Sequence, residues 1–552
     1  MKKILTTLLS FSALTIGAKN TPMEMFQVSS LRNVLYCDAG FTDTPDTLRV
    51  ARGENATAQF VLTSSNSVAD LQVSVRQKGL GEVSTGWVHD VVNKNPTIGA
   101  DDMISTPDSL YPDPIIDDDI ENLTPDIHKT LWVDVAIPRD AKPGLHKVNV
   151  MVTGTQDGTA VKVKKTFCIQ VYPVTLPEEQ KLKVVNWYDS ESTKRISSDP
   201  KSVTLERYLE LLQKFAEIAA KYGQNCWLIG EKPEMKLNSD STDFYLDFTY
   251  FDKVVDMFIK HGNLKYFCNS HIGGRNSGEW NDEMYFHIYT VQNKKLVHDF
   301  VPCSDPRLEH YIQHYYTQIE EHFRQKGWLD ICYQHVADEP ATMGTDSQKS
   351  WSKVAGMIKK AAPLLKTIDA CYDILENQDV SVVQLAANIA TMPPVPEGCE
   401  RWMYTCCVPR ENYANRFVQL PLIKTRILHW INYKYGEAGY LHWGLNFYRH
   451  ATDPLHDVTP YGAWYPGGDC YIVYPGREKV YPSIRLCGMR DGIRDYDLLC
   501  MVEAICPMKA KEWSDSIVLG PDKYDTDIAH FNRIRREMLE FLSNNNSHCC
   551  SR

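Results

Sequence analysis

The residues with the strongest claim to chemistry are Asp338 and Glu339, at the end of the run Gln334-His335-Val336-Ala337-Asp338-Glu339-Pro340. Two neighbouring carboxyls can split their pKa values, one staying ionised while the other holds a proton to donate. That division of labour is what general acid–base hydrolysis requires. Adjacency alone does not single the pair out, since Asp282-Glu283 is another such dipeptide. The second pair lies in a polar loop with no strand before it, whereas an apolar strand pattern leads into Asp338 and Pro340 then forces the chain out of that strand. The competing reading of Asp338 and Glu339 is a salt-bridged strand end or a helix N-cap.

Other predicted strand ends carry aromatic, amide and basic side chains: Asn186 and Tyr188, His271 and Arg275, Trp402 and Tyr404, Trp443 and Asn446. Sugars offer apolar C–H faces and a ring of hydroxyls, so a sugar site needs flat aromatics and fixed polar groups around them. Trp402 and Trp443 fit equally well as filling of a barrel interior, and Trp430, inside a predicted helix, reads as packing. A metal centre is not expected. His310, His314 and His322 share a helix with Glu320 and Glu321, but only the first two histidines stand four apart and the H-E-x-x-H order is absent. Gly273-Gly274 and Gly467-Gly468 are turn glycines without a phosphate-loop pattern, and no G-x-S-x-G elbow occurs, so no cofactor is implied.

The elements that must position these residues fall into two patterns. From about residue 21 to 180, short strands alternate with turns, as at Thr57 to Leu62, Leu71 to Arg76, Leu131 to Ile137, Lys147 to Val152 and Val161 to Val171. This spacing predicts a β-sandwich over residues 19–180. After residue 182 the rhythm becomes strand, helix, strand, helix. Candidate strands are Lys183 to Tyr188, Cys226 to Ile229, Lys265 to Ser270, Ile331 to Ala337, Thr367 to Cys371, Val382 to Leu385, Trp402 to Cys406 and Gly439 to Trp443. Eight strands with helices between them predict a (β/α)8 TIM barrel over 181–450, with its chemistry at the C-terminal ends of the strands. Residues 451–552 are expected to be loop and helices packed back on the barrel.

Composition restricts partners and location. With 552 residues, 43% hydrophobic and 23% charged, the chain has the make-up of a packed globular protein. Its net charge of −11 comes without a basic cluster, so nucleic acid is not an expected partner. Met1-Lys2-Lys3, an apolar stretch from Ile4 to Ile16 and the small pair Gly17-Ala18 form the layout of a secretory signal peptide over 1–18, predicting a periplasmic or secreted protein. No later apolar run is long enough to span a bilayer. The 16 cysteines show no C-x-x-C spacing, and the Cys549-Cys550 tail is expected to be exposed.

The chain resembles glycoside hydrolase family 123, the retaining β-N-acetylgalactosaminidases. The likeness rests on Arg52-Gly53-Glu54-Asn55-Ala56, the Pro138 to Gly144 turn, Asp338-Glu339-Pro340, Gly439-Tyr440-Leu441-His442-Trp443, the run from Gly468 to Gly476, Ser483-Ile484-Arg485-Leu486 and Arg490-Asp491-Gly492-Ile493-Arg494-Asp495-Tyr496. The downstream run is shared with a broad group of related glycosidases and speaks to fold and catalytic class more than to the sugar. The resemblance implies exo-acting, substrate-assisted removal of terminal β-linked N-acetylgalactosamine from glycans or glycolipids through an oxazoline. By matching positions Glu339 is then the general acid and base, and Asp338 orients the acetamido N–H. Trp443, Tyr404 and Trp402 are expected around the acetamido group and sugar face, with Asn446, His271, Asn186 and Tyr188 as further contacts. A related glycosidase of other specificity, or a carbohydrate-binding protein without catalysis, are the alternatives.

Overall fold

A computed structural model describes residues 23–546 apart from 45, 46, 96, 97, 126, 343, 387 and 388. The expected signal peptide and the Cys549-Cys550 tail lie outside the described residues.

The N-terminal part packs two sheets face to face. One has five strands in the order Glu24–Val28, Asn55–Thr63, Lys129–Ala136, Val83–Val92, Leu110–Ile116; the other has four, Leu48–Arg52, Thr159–Thr175, Gly144–Gln156, Ala69–Arg76. Alternation decides which side chains meet. Val148, Val150 and Val152 are buried while Asn149 is exposed, and they pack with Phe167 and Ile169 against Phe60, Leu131 and Val133 of the facing sheet.

The barrel strands are β1 (Lys183–Asn186), β2 (Cys226–Ile229), β3 (Tyr266–Asn269), β4 (Cys332–His335), β5 (Lys366–Cys371), β6 (Val380–Gln384), β7 (Glu400–Tyr404) and β8 (Gly439–His442). They run parallel in sequence order from β2 round to β8, and β8 pairs with β1. At the β1–β2 seam side-chain amides stand in for a ladder: Asn225 Oδ1 accepts from Val184 N at 2.8 Å, and Gln224 Oε1 accepts from Asn186 N at 3.2 Å and Asn186 Nδ2 at 3.0 Å. All eight expected strands are present, several shorter by a residue or two at their ends.

The crossovers depart from the expected eight helices. Helices α1 (Leu205–Lys221), α2 (Thr249–His261), α3 (Pro306–Lys326) and α4 (Asp346–Ala361) follow β1 to β4, and α5 (Leu422–Lys434) and α6 (Ile484–Ile505) follow β7 and β8. No helix follows β5 or β6 among the described residues. The first of these links, 372–379, is too short for a helix and two turns, and the second carries Pro393, Pro394 and Pro396, which cannot continue one. Local signals set the helices that do form. In α3, Asp305 caps the first turn, Pro306 takes the first position and Gly327 ends the helix at φ 72°.

Two C-terminal helices, α7 (Pro507–Ile517) and α8 (Ile528–Asn546), complete the described chain. Together α6 and α8 weld barrel to sandwich through buried ion pairs. Arg485 Nε and Nη2 lie 2.8 and 2.6 Å from the Asp113 carboxylate, Arg490 grips Asp134 at 2.7 and 3.0 Å, and Arg535 joins Glu54 (2.6 Å) to Asp495 (2.5 Å). Breaking such a pair from one side strands a desolvated charge, at a cost of about 3–5 kcal/mol. Asp113→Ala should therefore lower the urea midpoint of sandwich and barrel together, followed by far-UV and tryptophan signals; an unchanged midpoint would show that the Arg485–Asp113 pair does not join the two units.

Candidate active site

The geometry of the site starts from Asp369 on β5. Its Oδ2 accepts from Val336 N (2.8 Å), Ala337 N (3.1 Å) and Trp351 Nε1 (2.7 Å), and its Oδ1 lies 2.6 Å from His335 Nδ1 and 3.0 Å from His271 Nε2. This is why β4 stops at His335 rather than at Ala337: the next two amides turn to a carboxylate instead of a neighbouring strand. Burial pushes the Asp369 carboxyl up, but His335, His271 and the hydrogen bonds outweigh it and hold the group down to about 2. The imidazoles are driven apart. Burial and the charge of His271 lower His335, whereas the hydrogen bond to Asp369, with the charges of Asp369 and Asp338, raises His271 despite its burial.

The chain then delivers Asp338 and Glu339 in an unusual backbone state. Glu339 has φ 48°, in the left-handed region and directly before Pro340, a conformation that costs a non-glycine residue about 1–2 kcal/mol. Arg275 holds it there. Its guanidinium donates to the Asp338 carbonyl at 3.2 Å and to the Glu339 carbonyl, and stacks 3.7 Å above the Trp280 ring. Arg275 comes from a three-stranded sheet, Gly273–Arg275, Met284–Gln292 and Lys295–Pro302, inserted between β3 and α3. That sheet docks on the end of β4 through Gly273 N to Val336 O at 2.9 Å. A Cβ on Gly273 would meet the Phe286 ring at 2.5 Å, so only glycine allows the approach.

The two carboxyls meet different surroundings. Glu339 Oε1 accepts from the Tyr404 hydroxyl at 2.6 Å. Burial first, then the charge of Asp338, push Glu339 up to about 7, against the pull of Tyr404 and Arg275. Burial also raises Asp338, with His271, His335 and Arg275 opposing it. The two imidazoles thus face Asp338, and Glu339 is the carboxyl that burial and its neighbour's charge bring up to about 7. Trp187 stands edge-on to His271 and His335, each 5.5 Å away. Trp187 Nε1, His335 Nε2 and Asn269 Oδ1 are buried with no hydrogen-bond partner among the described residues. Such atoms are ready for the hydroxyl and amide groups of a ligand. At the end of β6, Gln384 Nε2 lies 3.4 Å from the Tyr372 hydroxyl and 3.5 Å from that of Tyr404.

Of the residues expected at the rim, Asp338, Glu339, Tyr404 and His271 come together. Trp443 leaves the same end of the barrel, its Nε1 donating to Asp469 Oδ2 at 3.0 Å and its ring against Phe447 and Tyr465. Four others are placed elsewhere. Trp402 is fully buried inside the barrel near its N-terminal end, donating to Glu400 Oε2 at 3.0 Å and packed on Tyr333. Asn186 is spent on the β1–β2 seam and on Arg416 at 2.6 Å. Asn446 is buried between Asp189 N (2.7 Å) and Thr193 Oγ1 (3.2 Å). Tyr188 packs outside the barrel wall on Phe258, its hydroxyl donating to Glu231 at 2.8 Å.

Sequence reasoning missed Trp187, His335, Asp369 and Asp469. Trp187 was available from parity: Val185 and Trp187 belong to the barrel interior, so Asn186 and Tyr188 had to face out. Asp369 gave a weaker signal, an acid in the apolar strand Ile368-Asp369-Ala370, where burial demands partners. Asp469 is pushed well above the carboxylate range, by burial first and Cys407 next. For metals, His271, His335 and Asp369 offer ligand atoms within 4.8 Å of one another, as do His89, Asp119 and Glu121. In the first set both Asp369 oxygens already face donors of the chain, Oδ1 the His335 ring and Oδ2 two amides and the Trp351 indole.

Comparison with known proteins agrees across the chain. Residues 231–502 match the description "Glycoside hydrolase 123, catalytic domain" and residues 42–154 match "Glycoside hydrolase 123 N-terminal domain". Among solved structures, a family 123 glycoside hydrolase from Clostridium perfringens, reported for glycolipid glycan hydrolysis, superposes with a TM-score of 0.74 at 16% identity, covering 96% of this chain and 100% of that one. A GH10 xylanase with a bacterial Ig-like domain, from termite gut, reaches only 0.31 at 9% identity, over 82% of this chain and 99% of its own. No curated protein matches the sequence.

The electrostatics predict opposite shifts from two conservative changes. Tyr404→Phe removes a donor that favours the Glu339 carboxylate, so the Glu339 titration should move to higher pH; Asp338→Asn removes a like charge, so it should move to lower pH. The alkaline limb of the pH–rate profile, or carboxyl 13C shifts, would read both. Shifts of the same sign would contradict the opposing influences of Tyr404 and Asp338 on Glu339.

Proposed function

We propose, for a chain that belongs to glycoside hydrolase family 123, that it removes terminal β-linked N-acetylgalactosamine from a glycan or glycolipid with retention of configuration. The reaction runs through the substrate's own acetamido group. The acetamido oxygen attacks the anomeric carbon as the glycosidic bond breaks, and the Glu339 carboxyl gives its proton to the leaving oxygen. Asp338 accepts the acetamido N–H and balances the positive charge of the oxazolinium. The Glu339 carboxylate then takes a proton from water, whose oxygen adds to the anomeric carbon and opens the ring. A substrate-assisted reaction needs no protein nucleophile, and the spacing rule for paired carboxylates does not apply to it.

The observation that carries this reading is the division between the two carboxyls. Although adjacent in sequence, one is hydrogen-bonded to Tyr404 and pushed up to about 7, and the other faces His271 and Arg275. A general acid is best placed with a pKa near the working pH. The described similarity to a glycolipid-directed enzyme supports a glycolipid glycan as substrate, and the signal-peptide-like sequence of residues 1–18 supports export.

Leaving-group dependence tests it. Glu339→Gln should lose about 10²–10⁴-fold on substrates with poor leaving groups and much less on activated aryl β-N-acetylgalactosaminides, which depart without protonation. Asp338→Asn should lose activity on every N-acetyl substrate whatever the leaving group. Equal dependence for both variants, or a trappable covalent glycosyl-enzyme, would sink the substrate-assisted mechanism, and turnover of the β-N-acetylglucosaminide alone would reassign the sugar.

A further inference from the structure

The inserted sheet does more than hold Arg275. On one face of its hairpin, rings lie against one another across the two strands: His287 stacks on Phe300 (4.5 Å) and on His298 (5.0 Å), and Tyr289 leans on His298 at 5.0 Å. Opposite this face, Tyr311 and Tyr315 of α3 lie side by side, their ring centroids 5.6 Å apart. Between them is a half-open cavity of about 500 Å³, with Ile272 and Leu296 also in its lining.

The charge in this cavity is one-sided. Lys232, His287 and His298 line it and no carboxylate does. Lys232 has no carboxylate within ion-pair distance among the described residues, and its ammonium donates only to the His271 carbonyl, at 3.1 Å. That contact joins the cavity to the site, because the His271 side chain is the one that faces Asp369 and Asp338. Flat rings stack on the apolar faces of sugars, and an ammonium beside a His287–His298 pair, whose Nδ1 and Nε2 share one hydrogen bond at 2.8 Å and leave one imidazole N–H to turn outward, favours a carboxylate. Neither feature is used by the chemistry at Asp338 and Glu339.

We propose that this cavity binds an acidic sugar unit of the substrate glycan, a carboxylate-bearing ring laid between the hairpin rings and the α3 tyrosines with its charge at Lys232. The proposal rests on the glycosidase reading, since it assigns the unit to the same glycan that enters the site. Room for one monosaccharide is what a cavity of this size gives.

Binding and turnover separate the two ideas. Sialyllactose and lactose, titrated into the full chain by calorimetry, should differ by about tenfold or more in affinity, and the difference should shrink as salt is raised. The double variant Lys232→Gln, His298→Gln should bring the two affinities together. In turnover, a β-N-acetylgalactosaminide of sialylated lactose should show a higher kcat/KM than its neutral counterpart, and that ratio should collapse in the same variant. Equal affinity for sialyllactose and lactose in the wild-type protein, or a preference that survives the double variant, would overturn the cavity assignment. Loss of all N-acetylgalactosaminide turnover in the wild-type protein, with the sialyllactose preference intact, would instead count against the proposed function.

Discussion

The buried carboxylate of Asp369 is the constraint on which the site depends. It is held ionised by donors from three directions: two main-chain amides, an indole and two imidazoles. A buried charge is tolerated only where its lone pairs are filled and opposite charge is near, and here the donors are the groups whose positions matter for chemistry. Fixing Val336 and Ala337 ends β4, and ending β4 places Asp338 and Glu339 at the mouth of the barrel. The same charge helps to raise His271 against its burial, while burial and the charge of His271 lower His335, so the backbone path and the electrical asymmetry around the dyad both start from this one carboxylate and its two imidazoles.

A second constraint acts at longer range. The downstream run from Ser483 to Tyr496, which gives the family resemblance its length, puts Arg485 and Arg490 into the sandwich and Asp495 against Arg426 and Arg535. These residues join domains and leave the sugar chemistry to others. The sandwich is therefore part of the barrel's support, and its strands Leu110–Ile116 and Lys129–Ala136 contribute buried acids that a free-standing sandwich would not need.

Much of this was legible in the sequence, for identifiable reasons. Barrel strands read clearly because each is a short apolar run between turn signals, and Asp338-Glu339-Pro340 stood out because a proline ends the run at a rim. The helices after β5 and β6 were over-read, since a repeating pattern invites completion where 372–379 has no room for it. Side-chain direction was the harder part. Choosing Asn186 and Tyr188 over Trp187 reversed the parity of β1, and Trp402 shares the interior face of β7 with Tyr404 but sits a layer lower, a difference in depth that residue type does not carry. Asp369 escaped because its importance lies in what it accepts, and acceptance by a strand-borne acid is written in the three-dimensional neighbourhood rather than in spacing.

The left-handed backbone at Glu339 has a consequence for how the protein can change. At φ 48° the residue that relaxes the chain is glycine or asparagine, and either would stabilise the fold locally while removing the acid. With Glu339 as the proposed general acid, stability and catalysis pull in opposite directions at this one position. Under the proposed function, a selection for heat resistance alone would favour variants that have lost the general acid.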